Sequence, residues 1–259
     1  MAVVCFSNIK RHQAETFAST NDIPLLRTID DSFDLQLLFH DDLIELFDTK
    51  LNTSISIDFT KGTLAHRQQF GGGRGQAIAK AMGLKAGVTP TILDATAGLA
   101  GDAFVLATLG CPMTLVERSP VIFTLIEDAV ERATLSDSFQ PILANGFDII
   151  NSDANDYIEQ SIADGTEAPD VIYIDPMFPE RKKSALVKKD MQILQRLHDQ
   201  DTQDRDRENA LLLDNALRFA KKRVVVKRPT KAPTISDKKP NTSIKSKKTR
   251  YDVYTIEKM

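Results

Sequence analysis

From residue 90 onward, short β-rich apolar runs alternate with longer helical runs, and this order constrains the fold more than any other feature of the chain. Predicted strands cover 91–95, 113–117, 147–151 and 171–175, with predicted helices between them. A strand that returns parallel to its predecessor needs a crossover of a dozen or more residues, usually a helix. The pattern therefore predicts an α/β fold whose parallel sheet has helices on both faces.

Further elements extend this pattern toward the carboxyl terminus. The predicted helices are 102–109, 120–133, 154–162, 188–197 and 208–220. Two later strands are predicted at 224–227 and 251–256. Pro120 opens its helix at the first helical position, which favours proline. The proline- and lysine-rich stretch 229–248 is predicted to be a mobile connection.

The first 85 residues follow a different pattern. Short β-rich runs at 2–6, 24–26, 35–39 and 54–59 are predicted strands, and 76–82 is a predicted helix that ends before a glycine. We therefore expect a small mixed α/β subdomain over residues 1–85 and a larger domain over 86–259.

The net charge of −3 is divided unevenly along the chain. Residues 1–176 contain 11 Lys and Arg against 25 Asp and Glu, whereas residues 177–259 contain 22 against 11. A basic third in an otherwise acidic chain favours a polyanionic partner. The alternative is an ordinary solvated surface.

Composition excludes several other classes. No apolar run approaches the roughly 18 residues of a membrane-spanning helix, and the N-terminus lacks the basic flank and long apolar core expected of a secretion signal. Two cysteines, Cys5 and Cys111, and four scattered histidines give neither a disulfide framework nor metal-ligand spacing. We expect a soluble, cytoplasmic protein without a metal.

Four predicted strands end in polar or acidic residues, at the sheet edge where ligands of open parallel sheets bind. The turn after the first strand, 94–102, contains glycine but matches neither GxGxxG nor GxxxxGK[ST]. It is compatible with a dinucleotide, a nucleoside triphosphate or S-adenosylmethionine. Because Asp94 and Asp102 flank it and no Lys or Arg lies inside it, the turn suits a cationic sulfonium better than a pyrophosphate. Ala97 and Gly98 of the turn are candidate cofactor contacts.

Glu117 ends the second strand, 23 residues after Asp94. An acidic side chain there can accept both hydroxyls of a ribose. Enzymes that use NAD share this arrangement, so Glu117 does not separate the two cofactors.

The fourth strand ends in Asp-Pro-Met-Phe-Pro at 175–179, which resembles the [DNS]-P-P-[YFW] motif of methyltransferases that modify exocyclic amino groups. The lone pair of an aryl amine is delocalised into the ring, so the amine must be oriented. The Asp175 carboxylate and the Pro176 carbonyl can accept its two N–H bonds, and Phe178 offers a face for base stacking. The alternative is a strand that ends in a proline turn, with Phe178 in the core.

Five stretches together resemble the RsmJ family of ribosomal small-subunit RNA guanine-N2 methyltransferases. They are 70–75 (Phe-Gly-Gly-Gly-Arg-Gly), 93–99 (Leu-Asp-Ala-Thr-Ala-Gly-Leu), 173–179 (Tyr-Ile-Asp-Pro-Met-Phe-Pro), 183–189 (Lys-Ser-Ala-Leu-Val-Lys-Lys) and 223–229 (Arg-Val-Val-Val-Lys-Arg-Pro). The resemblance implies a class I, Rossmann-like methyltransferase fold. It also implies S-adenosyl-L-methionine as methyl donor and N2 methylation of one guanosine near the 3′ end of the small-subunit rRNA.

By motif position, the resemblance assigns cofactor contacts to Gly101, Asp102, Glu117, Arg118, Asp153, Ala154 and Asp175. Asp153 is expected to bind the adenine amino group, and the Ala154 amide a ring nitrogen. Arg118 either covers the adenine or pairs with an outer carboxylate. Ala100 departs from the usual Gly-Leu-Gly of the family turn. Either Gly101 replaces the missing glycine, or the loop takes a slightly different position.

Basic residues follow the fourth and fifth predicted strands and are expected to contact RNA phosphates. They are Arg181, Lys182, Lys183, Lys188, Lys189, Lys227 and Arg228. Arg74, among glycines, is equally compatible with anion binding and with a structural turn. The expected partner is small-subunit rRNA or the 30S subunit.

Two other functions stay open from the sequence. An amino methyltransferase of DNA or of protein glutamine shares the Asp-Pro-x-Phe type of motif. A non-catalytic Rossmann-like domain that only binds the ribosome is the alternative from a different class.

Overall fold

The computed structural model describes residues 1–61, 73–176, 189–198 and 205–259. Internal contacts divide the chain into two compact units. The first unit contains Met1–Asp58, Thr124–Arg132 and the helix Lys189–His198. The second contains the described residues of 59–123, 133–178 and 204–259.

The first unit is built on a five-stranded sheet in the order β2-β1-β3-β4-β5. Its strands are β1 (Ala2–Cys5), β2 (Leu25–Leu26), β3 (Leu35–Phe39), β4 (Ile44–Asp48) and β5 (Thr53–Ile55). Strand β1 is parallel to β2 and β3, and the β3-β4-β5 pairs are antiparallel.

Two elements of the first unit were not predicted from the sequence. Helix α1 (Arg11–Thr20) is polar apart from Ala14, Phe17 and Ala18, which are its buried residues. Three apolar positions in ten residues give a weak helical period. Strand β4 is short and alternates buried with half-buried residues.

The second unit is built on a seven-stranded sheet in the order β11-β12-β10-β9-β6-β7-β8. Its strands are β6 (Ile92–Asp94), β7 (Met113–Glu117), β8 (Phe147–Asn151), β9 (Val171–Ile174), β10 (Arg223–Pro229), β11 (Thr242–Lys245) and β12 (Thr249–Thr255). Strands β6 to β10 are parallel, and β12 and β11 extend the sheet in antiparallel fashion. The α/β prediction with a parallel sheet is confirmed.

Helices follow the strands as the alternation predicts. They are α2 (Ala77–Met82), α3 (Gly101–Thr108), α4 (Pro120–Ala133), α5 (Gln140–Asn145), α6 (Ala154–Ala163), α7 (Lys189–His198) and α8 (Arg205–Phe219). Helix α5 was not predicted, because six residues between Phe139 and Gly146 are too few to establish a helical period. Among the helices that the structure describes, none is long and apolar enough to cross a bilayer.

The expectation of a mobile connection over 229–248 is wrong. Strand β11 lies inside it and pairs with β12. The guanidinium of Arg250 also donates hydrogen bonds to the carbonyls of Thr230 and Ala232, at 3.1 and 2.9 Å. An edge strand with one apolar residue, Ile244, has little hydrophobic pattern to reveal it.

The contact division differs from the boundary expected between residues 85 and 86. The ring of Phe59 stacks on those of Phe104 and Phe139, with centroids 4.9 and 5.7 Å apart, which ties it to the second unit. Helix α2 belongs to the same unit, and the carbonyl of its Ala81 accepts a hydrogen bond from Arg223.

The middle of α4 belongs to the first unit because its polar side chains bind that unit's backbone. Asp128 is 1% exposed and accepts hydrogen bonds from the backbone N–H of Ile44 and from Arg132, and it pairs with Lys10.

Candidate active site

The order of the parallel strands reverses between β6 and β9. The chain runs from β6 outward to β7 and β8, and then returns to β9 and continues outward to β10. Ligands of open α/β sheets bind at such a switch point, outside the carboxyl ends of the strands. Asp94 at the end of β6 is in register with Tyr173 of β9, so the two strand ends border the same crevice.

The turn after β6 is held by backbone and carboxylate bonds. The Ala97 N–H donates to the Val116 carbonyl at 3.1 Å, and the Asp94 carboxylate accepts the Thr96 N–H at 3.0 Å. Gly98 has a φ of +53°. Its N–H donates to Glu117 at 2.9 Å, so the turn is tied to the neighbouring strand end.

Ala100, the residue that replaces the family's glycine, adopts a φ of +55° just before α3. A left-handed conformation costs an L-residue with a Cβ about 1–2 kcal/mol. Because Ala100 itself takes this conformation, the turn keeps the backbone shape that glycine favours there, and Gly101 begins the helix. The departure from the family pattern therefore places a Cβ on a residue with positive φ, which adds strain at this turn.

Glu117 is 6% exposed at the end of β7. Its two carboxylate oxygens accept the N–H groups of Gly98 and Ser119, at 2.9 and 2.8 Å. Burial raises the pKa of Glu117, and these two N–H bonds oppose the rise. Each carboxylate oxygen accepts more than one hydrogen bond, so the arrangement fixes the carboxylate and still suits it to accept ribose hydroxyls.

Asp153 lies beyond the end of β8 and caps α6. Its side chain accepts the Asn155 N–H at 2.8 Å, which fixes the carboxylate at the helix start. The Ser152 N–H donates to the Glu117 carbonyl at 3.2 Å, so the ends of β7 and β8 are joined. Ala154 is the first residue of α6, where backbone N–H groups lack partners within the helix.

Five residues in β6, α3, β9 and β10, or directly after β9, form the strand-end cluster: Asp94, Asp102, Tyr173, Asp175 and Lys227. The Lys227 ammonium lies 2.8 Å from Asp102 Oδ2 and 2.7 Å from Asp175 Oδ2. The Tyr173 hydroxyl donates to Asp102 Oδ2 at 2.9 Å. The Asp175 N–H donates to Thr96 Oγ1 at 2.7 Å, which fixes the backbone where β9 ends.

Comparisons with known proteins agree on one family. A family model described as putative SAM-dependent methyltransferase matches residues 21–256. The ribosomal RNA small subunit methyltransferase J of Colwellia psychrerythraea is 50% identical over 223 residues, which are 86% of this chain and 78% of that relative. The enzyme of the same name from Aeromonas hydrophila is 43% identical over 259 residues, covering 99% of this chain and 98% of the relative.

The chain belongs to the family of ribosomal RNA small subunit methyltransferase J. A crystal structure of a SAM-dependent methyltransferase from Neisseria gonorrhoeae agrees with this, with a TM-score of 0.76 and 29% identity over 98% of this chain and 96% of that one. The predicted Rossmann-like methyltransferase fold and the S-adenosylmethionine cofactor are confirmed by the family.

The residues at the switch point fit the cofactor of this family. S-adenosylmethionine contains a sulfonium and an ammonium group, and the crevice is bordered by the carboxylates of Asp94, Asp102 and Asp175. Glu117 supplies acceptors for ribose hydroxyls. No Lys or Arg lies in the turn 94–102 to favour a pyrophosphate. Among the described residues, no three or more His, Cys, Asp or Glu side chains are grouped to hold a metal ion.

Burial governs the electrostatics of the strand-end cluster. Burial, together with the nearby Asp102 and Asp175 carboxylates, raises the pKa of Asp94 to about 7, although the Thr96 N–H bond and the Lys227 ammonium oppose the rise. Burial also raises the pKa of Asp175, although the Lys227 ammonium opposes the rise. For Tyr173, burial and the surrounding carboxylates hold the pKa well above its ordinary value, so its hydroxyl stays a donor.

Lys227 keeps its charge inside this cluster. Burial alone lowers the pKa of an ammonium group, but the Asp175 and Asp102 carboxylates outweigh burial and hold the pKa of Lys227 above its ordinary value. The cation therefore compensates two of the three carboxylates at the crevice.

The structure corrects two predicted RNA contacts. Lys227 is bound to two carboxylates of the site, and Arg228 is 3% exposed with its Nε–H donating to the Pro233 carbonyl at 3.0 Å. Arg228 is therefore not available to a phosphate in this arrangement, and the ammonium of Lys227, whose side chain is 27% exposed, is already paired with two carboxylates. Arg74 donates to the Lys85 carbonyl at 2.7 Å, which supports its reading as part of a structural turn.

Other predicted site residues are placed as follows. Pro176 is buried directly after Asp175. Arg118 pairs with Glu208 at 3.5 Å, one of its two expected roles. Lys189 begins α7. The side chain of Lys189 and all of Phe178, Arg181, Lys182, Lys183 and Lys188 lie outside the described residues.

Sequence reasoning missed Tyr173 and Thr96 as members of the site. Tyr173 lies two residues before Asp175, and this spacing puts both side chains on one face of a strand. The two-residue spacing could therefore have identified Tyr173 from the sequence. The Thr96 hydroxyl accepts a hydrogen bond from the Asp175 N–H. This contact joins two segments that are distant in the sequence, so the sequence does not reveal it.

Proposed function

We propose that the protein transfers a methyl group from S-adenosylmethionine to the exocyclic N2 of one guanosine near the 3′ end of small-subunit rRNA. The observation that carries the proposal is a carboxylate, Asp175, at the carboxyl end of β9, held by Lys227 at 2.7 Å and followed by Pro176. The names of the relatives support rRNA of the small subunit as the substrate.

Asp175 orients the amine of the target base. Among the described residues, Lys227 binds its Oδ2, which leaves Oδ1 to accept one N–H of the guanine amino group. The Pro176 carbonyl accepts the other N–H. Both acceptors are fixed, because the Asp175 N–H is bonded to Thr96 and proline restricts the backbone. The amine lone pair is thereby directed away from these two oxygens.

S-adenosylmethionine supplies, when bound, an electrophilic methyl group on a positively charged sulfur. Glu117 holds the ribose, while Asp153 and the Ala154 N–H hold the adenine. Catalysis consists mainly of positioning, which for well-oriented reactants lowers a barrier by roughly 7–11 kcal/mol. The methylated nitrogen must lose one proton, and the Asp175 carboxylate accepts it or passes it to water.

The proposed partner is small-subunit rRNA, free or in the 30S subunit, and the proposed location is the cytoplasm, where ribosomal subunits assemble. A guanine inside a helix must be extruded before its N2 is accessible. We therefore propose that the protein also contacts the phosphates on either side of the target base.

The test is incubation of the protein with radiolabelled S-adenosylmethionine and one of four acceptors: unmodified rRNA transcript, 30S subunits, DNA or protein. Label in an RNA-containing acceptor is expected. Label confined to DNA or protein contradicts the proposal and favours the other amino methyltransferases. Calorimetry that detects no S-adenosylmethionine binding at millimolar concentration favours a binding-only domain.

A further inference from the structure

The basic residues near the active-site edge include a group that the sequence analysis did not single out. Residues 229–250 contain seven Lys and Arg against one Asp. Four of these lysines lie in or beside two turns and are exposed: Lys231, Lys245, Lys247 and Lys248. We call these four the hairpin lysines.

The strand register places the hairpin lysines at the active-site edge of the sheet. Pro229 at the carboxyl end of β10 pairs with Thr249, and Lys245 pairs with Arg250. The turn that joins β11 to β12 therefore lies beyond the carboxyl end of β10. From Asp175, the β11 end of this hairpin is three strand positions away, roughly 15 Å at a strand spacing of about 4.8 Å.

The turns that present these lysines are held by hydrogen bonds. The Ser246 N–H donates to the Thr249 carbonyl at 2.7 Å, which closes the turn that contains Lys247 and Lys248. The Thr230 N–H donates to the Lys248 carbonyl at 3.2 Å and joins the second turn to the first. Ordered turns present the ammonium groups at a lower entropic cost than a mobile segment does.

Two arginines, the buried Arg228 and the half-buried Arg250, hold the second turn through hydrogen bonds to its carbonyls. Arg250 donates to the carbonyls of Thr230 and Ala232, and Arg228 donates to the carbonyl of Pro233. Arg250 is itself bound to the buried Asp252. Both arginines therefore position the segment that contains Lys231.

The hairpin lysines differ in their ion pairs from other lysines near the seven-stranded sheet. Within the described residues, no carboxylate pairs with any of the four. Toward the opposite edge of the sheet, three other lysines do have carboxylate partners: Lys221 with Glu167, Lys222 with Glu257, and Lys238 with Asp214. Lysines on an edge strand also prevent pairing with other strands, but of these four only Lys245 lies in a strand.

We infer that the hairpin lysines form a docking surface for the phosphate backbone of the rRNA on one side of the target guanosine. This inference rests on the proposed function, since it names how the same site holds its substrate. Four ammonium groups on two ordered turns, without carboxylate partners among the described residues, suit a polyanion whose phosphates repeat along a chain. Such contacts position an RNA and do not read its bases.

The test compares two double variants that remove the same charge. K247Q/K248Q removes two hairpin lysines, and K239Q/K258Q removes two exposed lysines toward the opposite edge. Binding of each full-length protein to an unmodified small-subunit rRNA transcript is measured at several KCl concentrations, together with kcat/KM for that RNA. Thermal melting checks that both variants are folded.

For K247Q/K248Q, we expect the Kd for RNA to rise about 10-fold at 0.1 M salt and the logarithmic salt slope to fall by about 1.4, because two phosphate contacts are lost. The value of kcat/KM should fall with the affinity, whereas K239Q/K258Q should behave as the wild type does. Wild-type behaviour of K247Q/K248Q, or an equal loss in K239Q/K258Q, overturns the inference. Binding to phosphatidylglycerol vesicles is measured in parallel. If K247Q/K248Q loses binding to the vesicles but not to the RNA, the surface belongs to a membrane and the inference is overturned. If the wild-type protein itself methylates no RNA, the proposed function fails and the inference with it.

Discussion

Two charged regions lie at the same edge of the seven-stranded sheet and differ in how their charges are held. In the strand-end cluster, two carboxylates (Asp102 and Asp175), Tyr173 and Lys227 are linked by contacts of 2.7–2.9 Å, and the third carboxylate, Asp94, is 2% exposed. The hairpin lysines are exposed on ordered turns, without carboxylate partners in the described chain.

The difference shows that shielding from water determines the strength and the range at which a charged group acts. Two unit charges 4 Å apart interact by about 4 kcal/mol near a protein surface and by only about 1 kcal/mol in bulk water. The carboxylates of the cluster are partly shielded from water, with the side chains of Asp102 and Asp175 15% and 37% exposed, and therefore act on a small cationic ligand and on a reacting amine at close range. Exposed ammonium groups act over about 10 Å on a long polyanion and are weakened by salt.

We expect the largest effect from removing the carboxylate that we place on the reacting amine. For D175A, we expect kcat to fall about 1,000-fold, the scale of a lost acid–base and orienting group, with cofactor affinity changed only several-fold. Single-turnover transfer and calorimetry measure the two quantities. Near-normal turnover would remove Asp175 from the mechanism.

Removing the lysine inside the cluster separates its role from that of the hairpin lysines. Lys227 lowers the pKa of Asp175 against the effect of burial. In K227M that pKa rises, so more of Asp175 is protonated at neutral pH. We expect kcat to fall about 10-fold or more and the acidic limb of its pH profile to move to higher pH.

The charged groups around Asp175 in this profile are Lys227 and Arg228 of β10, Asp102 of α3, Asp94 of β6 and Tyr173 of β9. The matched control is K221M, since Lys221 pairs with Glu167 toward the opposite edge. An unshifted acidic limb in K227M, or an equal shift in K221M, contradicts the role of Lys227.

The last prediction concerns stability and tests the burial of Asp94. Asp94 has a pKa of about 7 in the fold against an ordinary value of 3.8. Between these values the folded state binds more protons, so the free energy of unfolding falls as pH rises from about 4 to 7. D94N removes this titration but keeps an acceptor for the Thr96 N–H.

From pH 5 to pH 7, the free energy of unfolding of D94N should therefore fall by about 2 kcal/mol less than that of the wild type. Urea denaturation at the two pH values measures the difference. Parallel losses in both proteins would show that Asp94 is not the group that titrates in this window.

The parallel sheet could be predicted because its strands and helices alternate in a strict order and end in recognisable residues. Strands β7 and β8 and helix α4 have the predicted bounds. The acidic residues at the strand ends could be assigned to the binding site because ligands of open parallel sheets bind at the carboxyl edge. Elements with few apolar residues, such as α1 and β11, gave no usable period.

The roles of the basic residues could not be predicted, because they depend on contacts between distant segments. Lys227 and Arg228 look like surface charges next to Pro229 in the sequence. In the structure, Lys227 meets carboxylates from α3 and β9, and Arg228 binds a carbonyl five residues later. The stretch assigned to a mobile connection contains the lysines that remain exposed.

The most direct test of the account is to identify the methylated nucleoside. Unmodified small-subunit rRNA is treated with the wild-type protein and S-adenosylmethionine, digested to nucleosides and analysed by mass spectrometry, with D175A as the control. We predict one N2-methylguanosine per RNA for the wild type and almost none for D175A. A methyl group on a ribose oxygen, a ring nitrogen or another base would contradict the account.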